Sequence, residues 1–164
     1  VLETGDHGSF NSWGRDRFWT PDIQKTAAEV AKDTQLPYLD MLGPNIIRNS
    51  RWSCNHGWDI DLDDGSSWYE IYNNLLLNGG LKLREGYHRN VYNNIIVNNS
   101  LHPHVWYPHS GDIFSRNIIF SAYKPIMMPD KERWGNTIDY NFFVGSSAAA
   151  LGYLGNGCDS NSLW

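Results

Sequence analysis

The chain has 164 residues and a mass of 18.8 kDa, which predicts one domain whose core needs no disulfide or metal to fold. Its 41% hydrophobic and 14% aromatic content excludes an intrinsically disordered chain. The net charge of -5 argues against nucleic acid as a partner, because a phosphate backbone needs a cationic surface. No run of 18 apolar residues is present, so we expect no membrane partner.

Two parts of the chain are expected to differ in structure. Residues 1–42 are predicted to form a loop-rich N-terminal segment that contributes to the functional site, and residues 43–164 the repeated part of the fold. Residues 5–19 combine turn-forming, polar and aromatic side chains, which is typical of a loop at a site rather than of a strand. Residues 23–32 follow a Thr-Pro-Asp sequence, which predicts a short helix with proline near its first turn.

The expected site loop carries two arginines around an acid. Arg15 and Arg17 flank Asp16, and guanidinium groups suit a carboxylate or sulfate on a sugar. Asp16 is a further candidate acid. The alternative, which the sequence supports equally, is a structural loop whose arginines pair with acidic neighbours.

The rest of the chain contains a repeat, in which asparagine is followed by two apolar residues. The copies begin at residues 45, 74, 94, 117 and 141, in steps of 29, 20, 23 and 24 residues, and we interpret the long first step as an insertion. This period is that of a parallel β-helix coil. Asparagine at a coil corner tolerates left-handed backbone, and its amide can form a ladder with the next coil. The sequence therefore predicts an all-β, right-handed parallel β-helix of about five coils.

A second strand is predicted seven residues after each asparagine, because Leu81 and Leu101 occupy that position in successive coils. Period-two alternation directs these leucines inward and their neighbours outward. Two outward columns, about 4.8 Å between rungs, are expected to face water. One column contains Asp61, Lys82 and His102, the other contains Asp63, Arg84 and His104, and Asp64 is expected beside Glu85 at the strand end.

Neither end of the repeat shows a capping element, although terminal coils otherwise expose strand edges. We therefore expect the chain to be part of a larger β-helix, completed by further segments or chains. Cys54 and Cys158 lack the spacing of a zinc or redox motif and could form a disulfide.

The sequence resembles the right-handed parallel β-helix carbohydrate-active proteins of bacteria, which include glycoside hydrolases and polysaccharide lyases. The resemblance rests on the Asn-Asn-Ile-Ile coils over roughly residues 43–145, on the acidic stretch 63–67 and on the Leu-Arg-Glu-Gly sequence at 83–86. The hydrolases of this group generally use two carboxylates on adjacent coils, which implies Asp63 or Asp64 with Glu85. The lyases use a lysine and an arginine, and Asp63 here stands where their lysine is found.

Four acids are the candidate catalytic residues of a glycosidase. One carboxyl group must protonate the leaving oxygen, and a second must act as nucleophile or activate water. Crowding of acids raises the pKa of at least one of them, and nearby cations hold others ionised. We expect Asp63 and Asp64 to supply these roles, with Glu85 as the alternative partner. Asp61 is a further candidate catalytic acid. The alternative is a solvated face of cross-strand ion pairs, Asp61 with Lys82 and Asp63 with Arg84.

Substrate contacts are expected from the cations, histidines and aromatic side chains of the same face. Arg84, Lys82 and the histidines would orient hydroxyls or neutralise an anionic sugar, and Trp106 would stack on a pyranose ring. No cofactor is expected. The rival hypotheses are a metal bound by His102 and His104 with Asp61 or Asp63, calcium at the carboxylates, or ordinary surface histidines.

The sequence therefore predicts a glycoside hydrolase that cleaves a polysaccharide or oligosaccharide. One alternative is a polysaccharide lyase, in which Lys82 or His104 abstracts a proton beside a uronate carboxylate neutralised by Arg84. The other is a non-catalytic carbohydrate-binding module that uses the same face. The size of such a substrate predicts a secreted or periplasmic location.

Overall fold

The computed structural model describes residue 5, residues 7–103, 105, 107, 109–120 and 137–144, with side chains at 139 and 143 excepted. Its strands form three sheets, in which every neighbouring pair of strands is parallel. Sheet A contains β1 (Phe10–Trp13), β4 (Ile60–Asp63), β7 (Leu81–Leu83) and β10 (Leu101–Pro103). Sheet B contains β2 (Asn45–Arg48), β5 (Tyr69–Tyr72), β8 (Arg89–Tyr92), β11 (Ile113–Ser115) and β13 (Thr137–Asp139). Sheet C contains β3 (Arg51–Trp52), β6 (Leu75–Leu76), β9 (Ile95–Ile96), β12 (Ile118–Ile119) and β14 (Phe142–Phe143).

The chain visits the three sheets in rotation, so the fold is a parallel β-solenoid, as the repeat predicts. Counted from sheet B, strands β2 to β10 make three complete turns, with β1 before them and β11 to β14 after them. The expected number of about five coils is therefore too high for the described chain. The prediction counts each copy of the repeat as a full coil, whereas in the described residues no strand of sheet A follows the copies at residues 117 and 141.

Aliphatic side chains from all three sheets fill the solenoid interior. On sheet A the register pairs Ile60 with Leu81 and Leu62 with Leu83, and all four side chains are fully buried. Alternation in the other sheets adds buried Ile71, Val91, Leu76, Ile96 and Ile119 to the same cluster. The inward assignments made from the sequence on sheet A are confirmed.

A ladder of buried asparagines joins successive turns at one corner, which confirms that part of the prediction. Asn74, Asn94, Asn117 and Asn141 each follow a residue with positive φ. The Asn94 Oδ1 accepts hydrogen bonds from both the backbone N–H and the side-chain amide of Asn74, each at 3.0 Å. The Asn94 amide in turn donates to the Ile71 carbonyl at 3.0 Å. Because this pattern recurs on each rung, the ladder satisfies backbone groups that the corner leaves without sheet partners.

The first copy of the repeat was placed in the wrong register. Asn45 lies in sheet B opposite Tyr69, whereas the partner of Leu75 in sheet C is Arg51. The position equivalent to Asn74 is therefore Ser50, whose N–H donates to the Asn74 Oδ1 at 3.2 Å. The first step is 24 residues, and no insertion is present there.

The N-terminal segment packs on the solenoid through a strand, a helix and a turn. Phe10–Trp13 forms β1 beside β4, so part of the expected loop is a strand. The predicted helix is confirmed as α1 (Ile23–Lys32), whose N-terminus is capped by the Asp22 carboxylate. Its Val30 packs in a second core cluster with Phe18, Tyr87 and Tyr107.

A 3-10 turn over Leu36–Tyr38 ends this segment at a corner between sheets A and B. The Tyr38 ring stacks on His88 with 4.5 Å between centroids and meets Trp68 edge-on at 4.8 Å. These ring contacts hold the turn at the corner, and the chain then enters sheet B as β2.

No helix in the described ranges combines the length and the apolar character that crossing a membrane requires. Cys54 is buried, and its Sγ accepts the Gly57 N–H at 3.3 Å. Cys158 lies outside the described residues, so the predicted disulfide stays a prediction.

Candidate active site

The outer face of sheet A carries the charged columns in the predicted register. Asp61 lies opposite Lys82, and Lys82 lies opposite His102. The expectation that this column faces water is wrong, because the three residues are 0%, 4% and 7% exposed. The Trp58 ring covers the column, 4.3 Å from the His102 ring and 5.8 Å from the Lys82 Nζ.

A chain of alternating charges crosses the two columns. The Lys82 Nζ lies 3.0 Å from Asp61 Oδ1 and 3.5 Å from Asp63 Oδ1. The Arg84 Nη1 contacts the same Asp63 oxygen at 3.2 Å, and its Nε lies 3.3 Å from Asp64 Oδ1. Both cross-strand ion pairs that the sequence suggests as an alternative are therefore present. They form part of one network rather than separate surface pairs.

The network ends in a carboxyl pair, Asp64 with Glu85, on adjacent turns. The two carboxyl groups influence each other electrostatically, and each accepts an indole N–H. Trp13 Nε1 donates to Asp64 Oδ2 and Trp19 Nε1 donates to Glu85 Oε2, both at 2.9 Å. Arg84 lies beside both carboxyl groups, 3.8 Å from Glu85 Oε1.

The two members of this pair have opposite pKa shifts. Burial raises the pKa of Glu85, and the neighbouring Asp64 adds to the shift, against the hydrogen bond from Trp19 and the charge of Arg84. Burial also acts on Asp64, but the bond from Trp13, the charge of Arg84 and the bond from Glu85 together lower its pKa. The arrangement therefore favours a protonated Glu85 beside an ionised Asp64.

Asp61 occupies the most enclosed position of the network. Burial raises its pKa from 3.8 to about 6, an effect that Lys82 opposes and Asp63 reinforces. Asp61 and Lys82 are both buried, and the Lys82 Nζ lies between the Asp61 and Asp63 carboxylates.

The N-terminal arginines divide between the site and the surface. Arg15 reaches the site, with its Nη2 3.5 Å from Asp64 Oδ2 and its guanidinium 3.8 Å from the Trp13 ring centroid. Arg17 instead forms a surface pair with Asp40, with 2.6 Å between Nη2 and Oδ1. Asp16 lines a separate cavity of about 120 Å³, and burial followed by the charge of Asp40 raises its pKa.

Several residues that build the site are not apparent from the sequence. The aromatic content of residues 13–19 indicates a site loop, but nothing in the spacing tells which carboxyl group each indole meets. Arg89 is fully buried and forms a two-bond pair with Asp112, at 2.7 and 2.6 Å. It also donates to the Ser66 carbonyl at 3.1 Å, and thereby fixes the turn that follows Asp64.

Two expected substrate-binding residues, His104 and Trp106, lie outside the described residues. His102 is described, and its Nε2 lies 2.6 Å from Asn99 Oδ1. In the described part of the chain, no group of three or more His, Cys, Asp or Glu side chains could hold a metal ion. The metal and calcium hypotheses have no geometric support there.

Comparison of the chain with protein-family models, with curated proteins and with solved structures found no match. The parallel β-solenoid is thus established by the structure alone. The carboxyl groups and cations of sheet A are the groups that could supply chemistry at this site.

Proposed function

We propose that this protein is a glycoside hydrolase that acts on a polysaccharide or oligosaccharide at the outer face of sheet A. The observation that carries the proposal is the Asp64–Glu85 pair, in which burial favours a protonated Glu85, whereas the Trp13 hydrogen bond and the Arg84 charge favour an ionised Asp64. Two carboxyl groups whose environments separate their pKa values are typical of acid catalysis near neutral pH.

Glu85 is the general acid in this mechanism. Its proton would be transferred to the glycosidic oxygen as the bond to the leaving sugar breaks. Asp64 is not assigned the attack on the opposite face of the sugar, because it lies next to Glu85 and both carboxyl groups lie near the same Arg84 Nε. Asp64 instead positions the Glu85 proton, together with the two indoles.

Asp63 is the nucleophile or general base. Its side chain is 18% exposed, more than those of Asp64 and Glu85, and it lies between Lys82 and Arg84. These two cations balance a carboxylate charge that would otherwise be costly at this depth. The assignment gives Glu85, the alternative partner in the sequence hypothesis, the acid role.

The lyase alternative is less well supported by the same contacts. A lyase base must reach the substrate, whereas Lys82 is 4% exposed and its Nζ lies within 3.5 Å of both Asp61 and Asp63. Trp13, which is 56% exposed, and Arg15 provide a rim for sugar rings and hydroxyls. The proposal also includes a right-handed solenoid, typical of parallel crossovers, and a secreted or periplasmic location.

The test is turnover of neutral, sulfated and uronate glycans, measured as new reducing ends and as ultraviolet absorbance of unsaturated products. Glu85→Gln and Asp63→Asn should each lower the rate by about 100-fold or more. Glu70→Gln is the matched control, because Glu70 lies on sheet B, away from the site, where it accepts a hydrogen bond from the Asn90 amide at 3.1 Å. It should leave the rate within a few-fold of the parent.

Three results would contradict the proposal. If the Glu85 and Asp63 variants form reducing ends as fast as the parent, these two residues are not catalytic. Reducing ends accompanied by ultraviolet absorbance would identify a lyase. Glycan binding without turnover on any substrate would identify a binding module.

A further inference from the structure

The described outer face of sheet C is uniformly apolar, whereas sheet A is charged and sheet B alternates exposed Ile46 and Ile113 with polar side chains. Its first outward column consists of Leu75, Ile95, Ile118 and Phe142, one residue from each of four successive rungs. The last three of these side chains are 40%, 38% and 49% exposed. A soluble domain ordinarily places polar residues at such positions, because burial of apolar surface is favourable.

A second outward column runs beside the first. Backbone hydrogen bonds continue the register past each short strand, with Val97 N donating to Leu76 O and Phe120 N to Ile96 O, both at 2.9 Å. The column therefore contains Leu77, Val97, Phe120 and Val144. Phe120 is 48% exposed.

The other outer faces show how such a face is normally made polar. Sheet A carries the charged network, and sheet B carries a Glu70–Asn90 hydrogen bond on neighbouring rungs. On sheet C, no charged side chain stands in the eight described outward positions from Leu75 to Val144. The first charge is Arg51, one rung beyond Leu75 at the end of the face.

We propose that this face, the two columns Leu75–Ile95–Ile118–Phe142 and Leu77–Val97–Phe120–Val144, binds the same face of a second copy of this chain. A flat sheet packs best on another sheet, about 10 Å away. A two-fold axis parallel to the strands reverses the order of the rungs and keeps each column facing itself. The face is therefore self-complementary in position as well as in polarity.

Side-chain sizes match in this arrangement. Leu75 faces Phe142 of the partner subunit, and Val97 faces Phe120 of the partner subunit. Each large ring thus meets a smaller aliphatic side chain, which lets the two layers interdigitate. Arg51 falls outside the apolar contact, where a polar rim is expected.

The size of the face limits the strength of the dimer. Four rungs about 4.8 Å apart and two columns about 7 Å apart give a footprint of roughly 300 Å² per copy. This is small beside the roughly 800 Å² per partner of a stable complex, so the dimer is weak and depends on concentration. Higher salt should favour it, because the two copies carry the same net charge of -5.

The test is sedimentation velocity of the whole chain at protein concentrations from about 5 to about 500 µM, a range suited to a weak dimer. The weight-average mass should rise from 18.8 kDa toward twice that value. Ile118→Lys, at the centre of the face, should weaken association at least about tenfold, because it buries a charge. Ile113→Lys is the matched control: Ile113 lies on sheet B of the same turn and is 39% exposed, against 38% for Ile118.

The proposal requires Ile113→Lys to associate like the parent, with both variants folded by circular dichroism. It is overturned if the parent stays monomeric over the whole range, or if both lysine variants weaken association equally. A parent that stays monomeric but sediments with phosphatidylcholine vesicles, in an Ile118-dependent manner, would assign the face to lipid instead.

Discussion

Two tryptophans distinguish the carboxyl groups of the candidate site. Trp13 donates to Asp64, which two arginines also contact, whereas Trp19 donates to the more deeply buried Glu85. A hydrogen bond to a carboxylate favours its ionised form, so each indole lowers the pKa of its own partner. The balance between these bonds and burial determines which oxygen holds the proton.

Replacing Trp19 by Phe should raise the pKa of Glu85 further, because the bond that lowers it is lost. A general acid works while protonated, so its activity is lost as pH rises through its pKa. The alkaline limb of the rate profile should therefore move to higher pH in Trp19→Phe. A matched control is Trp52→Phe, since Trp52 bonds to Asn74 away from the site. An alkaline limb at the same pH as in the parent, or at lower pH, would contradict the assigned role of Trp19.

Asp61 should make the folded state less stable as pH rises. Its pKa is raised from 3.8 to about 6, so between these values the folded chain binds more protons than the unfolded chain. The lost contribution is on the order of 3 kcal/mol in the free energy of unfolding once Asp61 is ionised. Urea unfolding across this pH range should show the decline in the parent and a flatter curve in Asp61→Asn. Equal slopes for the two proteins would exclude this role.

At the scale of elements, the sequence predicts what repeats and misses what does not. Three of the steps between asparagines are nearly equal, so the ladder and the inward leucines follow from spacing alone. The first rung fails because Ser50 stands where the other rungs have asparagine, while Asn45 happens to precede two isoleucines in sheet B. The burial of Lys82 could not be predicted, because it depends on where Trp58 and the N-terminal segment pack.

The ladder should contribute strongly to stability. Asn94→Ala removes the amide that serves the Ile71 carbonyl and the oxygen that accepts the Asn74 N–H. Buried polar groups without partners each cost about 1 to 3 kcal/mol, so we expect a loss of about 2 to 5 kcal/mol in urea unfolding. Asn93→Gly is the control: Asn93 is exposed with φ of 55°, where glycine is tolerated. Similar losses in both variants would mean that the backbone turn, rather than the amide ladder, holds the corner.

At the scale of the whole molecule, the N-terminal segment and the solenoid share two cores. Phe18 is 3% exposed and packs edge-on against Tyr87, which belongs to the turn between sheets A and B. Trp19 follows directly and bonds to the candidate acid. The segment that completes the site is therefore held by the same cluster that covers the solenoid.

Phe18→Ala should lower the free energy of unfolding by about 3 to 5 kcal/mol, the range for a buried ring replaced by alanine. Tryptophan fluorescence and circular dichroism should still report one coincident transition, because the two cores unfold together. Leu39→Ala, on the same segment but 51% exposed, should change stability by less than about 1 kcal/mol. A separate early fluorescence transition would show that the segment detaches on its own.

The asparagine ladder also makes the length of the molecule adjustable. Each turn contacts mainly the turns before and after it, and the shortest ladder step, from Asn74 to Asn94, takes 20 residues. A second copy of residues 74–93 inserted after Asn93 would present the same amide, the same inward leucines and the same corner to both neighbours. Insertion of this repeat would therefore lengthen the solenoid by one turn, about 4.8 Å along its axis.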